Sequence, residues 1–372
     1  MNVRRLIGIA AAAVTMTAVG ACGTAPPSSN SGSKSDAAKA TSAADLGGMD
    51  ALVKAAKKEG ALNVIALPPD WANYGAIIKA FSDKYGIKVN SAQPDAASQD
   101  EINAAKQQDG RPTAPDVFDL GQAVALANTS LYAPYKVADF DKIPSQFKDA
   151  DGNWVNDYGG YMSIGYDSKK VPAVTGVNDL LKPAYKGKVA LNGDPTQAGA
   201  AFSGVVMAAV ANGGSADDIA PGVKFFGQLK KAGNFLPVDP TPATIEAGQT
   251  PVVIDWDYTN AAETAKLPSW KVVVPGDQPV GGYYYQAINK NAPHPAAARL
   301  WEEFLYSADG QNLYLQGGAR PVLADAMKAD GTLDTASFAK LPPVKGTPVL
   351  LTPDQNTKAA DYLAKNWASA VK

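Results

Sequence analysis

The sequence predicts an α/β fold with two lobes, each a mainly parallel sheet flanked by helices. Residues 49–120 alternate apolar runs of strand length with apolar residues at helical spacing. A second alternating series begins at Lys188-Val-Ala-Leu191 and ends in Pro251-Val-Val-Ile254. Strands that alternate with helices through short links are typical of βαβ units. A chain of 372 residues is long enough for two such units with substantial cores.

Each element of the first series carries a local signal. A helix over Met49–Glu59 is followed by a strand over Ala61–Leu67, which Pro68-Pro69-Asp70 ends. Apolar residues then recur at helical spacing from Tyr74 to Tyr85, and Gly86 is a C-terminal stop. The remaining predicted elements are the strand Ile87–Ala92, the helix Ser98–Asp109 and the strand Asp116–Leu120.

The second series contains two longer helices between its strands. We predict these helices over Ala200–Ala211 and Pro221–Ala232. The aromatic and glycine-rich stretch Asp157–Tyr166 lies where the chain would pass from one lobe to the other.

The N-terminal residues predict export and a lipid anchor. Arg4 and Arg5 precede a short apolar run, the pattern of a secretory signal rather than of a membrane span. The run ends in Val19-Gly20-Ala21-Cys22, which resembles the lipobox of bacterial lipoproteins. We therefore expect residues 1–21 to be removed and Cys22 to be lipidated. Residues 22–47 are rich in Ser, Ala, Gly and Lys, and we expect them to form a flexible tether.

The composition excludes several classes of function. The chain has a single Cys and a single His, so it cannot form an internal disulfide or a two-His metal site. Its net charge of −2 with no basic segment gives no basis for nucleic-acid binding. We find no nucleophile elbow, P-loop or dinucleotide-binding glycine motif, and His294 is best explained as a solvated residue at a helix entry. We expect no enzyme activity, no cofactor and no resident metal.

Four stretches resemble the extracellular solute-binding proteins of ABC importers, in the group that includes binders of iron, polyamines, thiamine and phosphonates. Residues 57–65 resemble the opening strand of that family, and residues 161–171 are similar to its crossing into the second lobe. The other two stretches resemble its late strand with the ligand loop and its closing helix pair; they are Glu246–Tyr258 and Ala297–Pro321.

The resemblance implies a periplasmic-binding-protein fold of type II, whose lobes are joined by crossing hinge strands and close on a ligand. It places lobe 1 at residues 48–160 and 280–330, and lobe 2 at residues 161–279 and 331–372. It also implies a monomer that delivers a small solute to permease and ATPase subunits on other chains, outside the cytoplasm.

The candidate binding residues lie in loops at strand ends. Ligands of open α/β sheets bind beyond the carboxyl ends of the parallel strands. Carboxylates neutralise a cation there, and aromatic faces attract one. We therefore predict a cationic, amine-containing ligand, such as a polyamine. The predicted contacts are Asp70, Trp71, Asp119, Asp194, Thr196, Asp255, Trp256, Asp257, Tyr258, Tyr283 and Tyr285.

Several of these residues have an equally simple structural explanation. Trp71 could be a packing aromatic, and Asp119 could cap the next helix. Strand alternation turns Tyr284 away from Tyr283 and Tyr285, and would put Asp255 and Asp257 on one face if the strand continued. On the ligand-binding interpretation, substitution of Trp256 or Asp257 weakens solute binding and leaves the fold intact.

Three alternative functions stay open. The loop from Gly193 to Gly199 leads into a helix whose N-terminus favours an anion, which suggests a zwitterion such as an aminoalkylphosphonate, unless Asp194 or Thr196 only caps that helix. A different ligand of the same protein family is the second: ferric iron, which relatives bind with adjacent tyrosines, or a thiamine-type compound. A lipid-anchored hydrolase that uses paired carboxylates is the third.

Overall fold

The computed structural model describes residues 34–372, with side chains from Asp36 onward. The predicted signal segment and Cys22 lie outside the described residues. The described helices are α1 Lys34–Lys39, α2 Met49–Glu59, α3 Tyr74–Tyr85, α4 Ser98–Gln107, α5 Gln122–Ala127, α6 Gly199–Ala211, α7 Ala220–Ala232, α8 Pro242–Glu246, α9 Asp257–Lys266, α10 Pro295–Leu305, α11 Ala308–Gln316, α12 Ala324–Asp330, α13 Thr335–Phe338 and α14 Pro353–Ala370.

The strands belong to both predicted series and to the segments that connect them. They are β1 Ala61–Ile65, β2 Lys88–Ala92, β3 Val117–Leu120, β4 Tyr132–Ala133, β5 Val155–Asp167, β6 Val189–Leu191, β7 Val252–Trp256, β8 Trp270–Val273, β9 Gly281–Asn289 and β10 Arg320–Pro321. Short 3-10 helices cover Ala43–Leu46, Thr129–Leu131, Phe140–Lys142, Ser145–Phe147, Val177–Leu181 and Pro183–Tyr185.

Parallel pairing occurs within each series, as predicted. Strands β1 and β2 are parallel, and so are β6 and β7. The Asp116 amide donates to the Asn63 carbonyl oxygen at 2.9 Å, which holds the start of β3 beside β1. The strand order of the larger sheet is β3-β9-β5-β7-β6.

The long strands β5 and β9 change the expected pairing. Strand β9 is antiparallel to β3 and β5, and β5 is also antiparallel to β7. The expectation of mainly parallel sheets is therefore wrong for the larger sheet, because β5 and β9, which cross between the series, each run antiparallel to their neighbours. Strand β5 changes partners at Tyr161 and Met162, pairing with β9 before this point and with β7 and β8 after it.

One predicted strand is shorter than its apolar run. Strand β1 ends at Ile65 rather than at Leu67. Ala66 has a φ of 57°, a left-handed conformation that a strand cannot contain. The turn at Ala66 directs the following loop, with Asp70 and Trp71, toward the middle of the molecule.

The second half of the predicted tether is ordered. Ala37 and Ala40 are buried, and the buried guanidinium of Arg299 in α10 donates to the carbonyl oxygens of Ala38 and Ala40 at 3.0 and 2.8 Å. The expectation of a tether up to residue 47 is therefore wrong for the described part. The carbonyl oxygens of Ala38 and Ala40 accept hydrogen bonds from the buried Arg299 guanidinium, and these bonds fix the segment against α10.

Candidate functional site

A cavity of about 510 Å³ lies between the loops and helices of the two series. From the first series, its lining includes the loop after β1, the start of α4 and the end of β3. From the second series, it includes the loop after β6, the start of α6, and parts of α8 and α9. The cavity is therefore at the strand ends where the sequence places the candidate residues.

The lining of this cavity is strongly acidic. Its described residues contain nine acids and no Lys or Arg. Lys266 lies beside the lining, with its Nζ 3.2 Å from Asp70 Oδ2 and 3.7 Å from Glu263 Oε1. The lining acids are Asp70, Asp95, Asp100, Glu101, Asp119, Asp194, Asp239, Asp255 and Glu263.

Three buried oxygens of lining residues have no hydrogen-bond partner among the described residues. They are Asp119 Oδ1 from the first series, and Thr259 Oγ1 and Glu263 Oε2 from α9 of the second. A buried polar atom without a partner costs about 1–3 kcal/mol, more when it is charged. All three atoms are able to accept a hydrogen bond.

Asp119 is held in place by its other oxygen and by its backbone. Tyr158 donates its hydroxyl to Asp119 Oδ2 at 2.9 Å, and Trp71 donates its indole N–H to the Tyr158 oxygen at 2.7 Å. The Asp119 amide donates to Glu101 Oε2 at 3.0 Å. Burial and the Asp157 charge raise the pKa of Asp119 well above its usual range, and the hydrogen bond from Tyr158 opposes the shift. A cation near Oδ1 would favour the carboxylate form of Asp119.

Asp255 is the corresponding carboxyl group at the end of β7. Its Oδ2 accepts a hydrogen bond from the Asn192 side chain at 2.9 Å, and its Oδ1 accepts one from the Trp256 amide at 2.7 Å. Burial raises the pKa of Asp255 to about 7, although both hydrogen bonds oppose the shift. Its charge at the cavity therefore changes near neutral pH.

An aromatic cluster forms one side of the cavity. Trp71 lies edge-on to Tyr258 and Tyr284, with ring centroids 5.7 Å apart in both pairs. Tyr158 stacks on Tyr284 at 5.4 Å, and Trp256 donates its indole N–H to the Tyr284 oxygen at 3.3 Å. Trp71 and Tyr284 line the cavity, whereas the other three rings lie behind them.

The structure brings five of the predicted residues to the cavity. Asp119 does not cap α5, whose N-cap is Gly121. Asp70 and Asp194 are exposed, and Asp194 Oδ1 accepts hydrogen bonds from the amide and hydroxyl of Thr196. The five are Asp70, Trp71, Asp119, Asp194 and Asp255.

Asp257 has a structural role instead. Helix α9 begins at Asp257, so the strand does not continue and Asp255 and Asp257 do not share a face. Asp257 is fully buried, accepts a hydrogen bond from the Tyr161 amide at 3.0 Å and pairs with Arg320 at 2.6 Å. Burial raises the pKa of Asp257, and Arg320 opposes the shift. Its charge is neutralised within the chain, so the expectation that it contacts a ligand is wrong for this cavity.

The other predicted residues also lie outside the cavity lining. Tyr258 is buried in the aromatic cluster, and Tyr283 and Tyr285 pack on Phe147 and Trp154 with ring centroids 4.5 and 4.6 Å apart. Trp256, Thr196 and Tyr283 face a second, much smaller space of about 40 Å³. Neither Thr196 nor Asp194 caps α6, because its N-cap is Ala198 and makes no side-chain hydrogen bond.

Sequence reasoning missed several lining residues. Tyr284 lines the cavity. Strand alternation turns it away from Tyr283 and Tyr285, and the structure packs those two rings on Phe147 and Trp154 instead. Glu101, Thr259 and Glu263 lie inside helices, where polar residues are normally solvated. The one usable signal is that Glu101 lies one helical turn before Ala105 and therefore shares its predicted helix face.

Among residues 34–372, we find no group of three or more His, Cys, Asp and Glu side chains positioned to hold a metal ion. The same part of the chain contains no helix with the length and apolar character needed to cross a membrane.

Residues 116–341, more than half of the chain, match the family described as bacterial extracellular solute-binding protein. The chain belongs to this family. Its family and fold are those of the solute-binding proteins of ABC transporters, which are not enzymes. The resemblance drawn from the four sequence stretches is thereby confirmed.

Solved structures show the same fold. Iron-bound HitA from Pseudomonas aeruginosa is 21% identical, with a TM-score of 0.61 over 83% of this solute-binding protein and 99% of HitA. AfuA from Actinobacillus pleuropneumoniae with fructose-6-phosphate is 17% identical, with a TM-score of 0.62 over 84% and 98%. A putative spermidine/putrescine transporter protein from Listeria monocytogenes is 13% identical, with a TM-score of 0.63 over 84% and 98%. These matches confirm the two-lobed α/β fold class and leave the ligand open.

Proposed function

We propose that this solute-binding protein captures a small cationic amine, such as a polyamine, in the acidic cavity. The observation that carries the proposal is the set of carboxylate oxygens that both series supply to the cavity lining, whose described residues include no Lys or Arg. An ammonium group donates hydrogen bonds and accepts none, so it matches these oxygens. The nine lining acids supply the attraction that a cation with several amines would use.

The aromatic side of the cavity suits the same ligand. Trp71 and Tyr284 present rings to the cavity, and an aromatic face attracts an ammonium group by roughly 0.5–2 kcal/mol. Their rings also cover the methylene segments that separate the charges of a polyamine. Carboxylates alone would attract any cation, whereas aromatic faces favour organic ones.

Binding would then lead to transport by closure around the amine. The ligand shifts the protein toward the closed form by the difference in its affinity for the two forms. In this proposal, the lobe boundaries are those predicted above, and permease and ATPase subunits on other chains accept the amine. Lipidated Cys22 keeps the protein at the outer face of the cell membrane.

One observation favours a zwitterion as the second candidate. The N-terminal residues of α6, from Ala198 to Ala200, line the cavity, and Ala198 provides no side-chain cap. The N-terminus of a helix favours a negative group. An aminoalkylphosphonate would place its anion there and its amine near Asp119.

A thermal-shift panel tests the proposal. The panel contains spermidine, putrescine, choline, 2-aminoethylphosphonate, thiamine and ferric citrate. A ligand at about 100 times its Kd adds about 2.7 kcal/mol to the free energy of unfolding. We expect a clear shift with a polyamine. A shift with ferric citrate alone would contradict the amine proposal, and a shift with 2-aminoethylphosphonate alone would favour the zwitterion.

Spermidine binding is expected to weaken as the pH falls. Asp255 has a pKa of about 7, and a protonated carboxyl group no longer attracts a cation. From about pH 8 to about pH 6 its charged fraction falls roughly tenfold, so the affinity falls in the same direction. Calorimetric titration across this range measures the effect, and Asp255→Asn serves as the control that reduces the dependence. An affinity that rises on acidification would contradict the assignment.

A further inference from the structure

Two glycines from different series touch beside the cavity. Gly121 directly follows β3, and Gly199 is the first residue of α6. A Cβ atom added at Gly121 would lie 2.8 Å from the Gly199 Cα, and one added at Gly199 would lie 2.9 Å from the Gly121 Cα. Both distances are shorter than a normal contact between carbon atoms. The two backbones can therefore approach this closely only because neither residue has a side chain.

The local backbone does not require glycine at either position. Gly121 has φ −63° and ψ 146°, an ordinary extended conformation for any residue. Gly199 occupies the first position of a helix, where alanine has the higher helix propensity. The close contact is thus the only observed reason for glycine at both sites.

The contact lies next to both the cavity and the smaller space. Gly199 lines both, and Gly121 lines the smaller one. Ser98 also helps to hold Gly121 in place, because its hydroxyl accepts a hydrogen bond from the Gly121 amide at 3.0 Å. Nearby, Lys266 of α9 reaches across to Asp70 at 3.2 Å, but this pair is exposed and contributes little.

We infer that Gly121 and Gly199 are positioning residues for closure, forming the backbone contact that lets the two series meet around the solute. The inference rests on the proposed function, in that the enclosed space is taken to hold the solute. An alanine at either site leaves the structure within each series unchanged, but its methyl group opposes the contact between Gly121 and Gly199. It therefore shifts the equilibrium toward the open form.

The test is cross-linking in the absence of any ligand. Cysteines replace Asp70 and Lys266, and Cys22, the single native cysteine, is replaced by serine. A short bis-maleimide then joins the two cysteines when the series are closed, so its rate reports the closed population. We expect Gly121→Ala and Gly199→Ala to slow cross-linking about tenfold. Gly176→Ala is the matched control, because an added Cβ there meets nothing within 4 Å and its φ is −167°.

Spermidine affinity, measured in the variants without the added cysteines, is the second readout. Weaker binding in both glycine variants, with slower cross-linking and an unchanged melting temperature in ligand-free protein, supports the inference. Unchanged cross-linking, equal slowing in Gly176→Ala, or a lower ligand-free melting temperature in both glycine variants would overturn it. Slower cross-linking in a protein that binds no amine keeps the closure contact and rejects the proposed ligand, so the two failures are distinguishable.

Discussion

Asp119→Asn is expected to weaken spermidine binding by about thirtyfold or more. Removing one partner of a buried charge-assisted hydrogen bond costs about 2–5 kcal/mol, and each 1.4 kcal/mol is about tenfold in Kd. Asp119 lines the cavity, and its buried Oδ1 has no hydrogen-bond partner among the described residues. The asparagine keeps the shape and can still accept the Tyr158 hydroxyl, so the loss measures the charge. Isothermal titration calorimetry gives the change in Kd.

Asp95→Asn is the matched control for this experiment. Asp95 belongs to the same lining but is exposed, so its charge is screened by solvent. We expect its effect on Kd to stay within about threefold. Equal losses in the two variants would mean that only the overall charge of the cavity matters. An unchanged Kd in Asp119→Asn would remove Asp119 from the binding site.

Asp257→Ala is expected to lower the free energy of unfolding by about 3–5 kcal/mol, the cost of leaving one member of a buried ion pair without its partner. Asp257 is fully buried and accepts hydrogen bonds from Arg320 Nη1 and the Tyr161 amide. The Arg320 side chain is only 15% exposed and would lose its carboxylate partner. Urea denaturation followed by circular dichroism measures the loss.

The double variant Asp257→Ala/Arg320→Met distinguishes the loss of the Asp257–Arg320 ion pair from the loss of side-chain packing. Removing both charges together avoids an uncompensated buried cation, so part of the stability should return. The folded fraction of Asp257→Ala should bind spermidine with nearly the wild-type Kd, because Asp257 does not line the cavity. A stable variant with a large loss of affinity would restore Asp257 as a ligand contact.

Much of the fold follows from local patterns in the sequence. Helices α2 and α3 begin and end at the predicted residues, because apolar spacing and the glycines Gly60 and Gly86 define them. The antiparallel course of β5 and β9 could not be predicted in this way, since pairing direction depends on where distant segments meet. The order of residues 36–47 depends on Arg299, more than 250 positions away.

The candidate site was predictable in location but not in detail. Asp119 and Asp255 were predicted from their positions at strand ends, because ligands of open α/β sheets bind beyond the carboxyl ends of the strands. The opposite roles of Asp255 and Asp257 follow from the exact residue at which β7 gives way to α9, and sequence patterns do not define boundaries that closely. Thr259 and Glu263 could be recognised as lining residues only from the structure, in which α9 and the loop after β1 line the same cavity.

Binding of an organic amine in the acidic cavity is the proposal on which the others depend. Its most direct measurement is a calorimetric titration of the wild-type protein with spermidine, alongside N1,N8-diacetylspermidine, which keeps the chain but loses the charge of both terminal amines. We expect saturable binding of spermidine with one site per chain and a large loss of affinity for the diacetyl compound. Equal affinity for both compounds, or no binding of spermidine while an anionic solute binds, would contradict it.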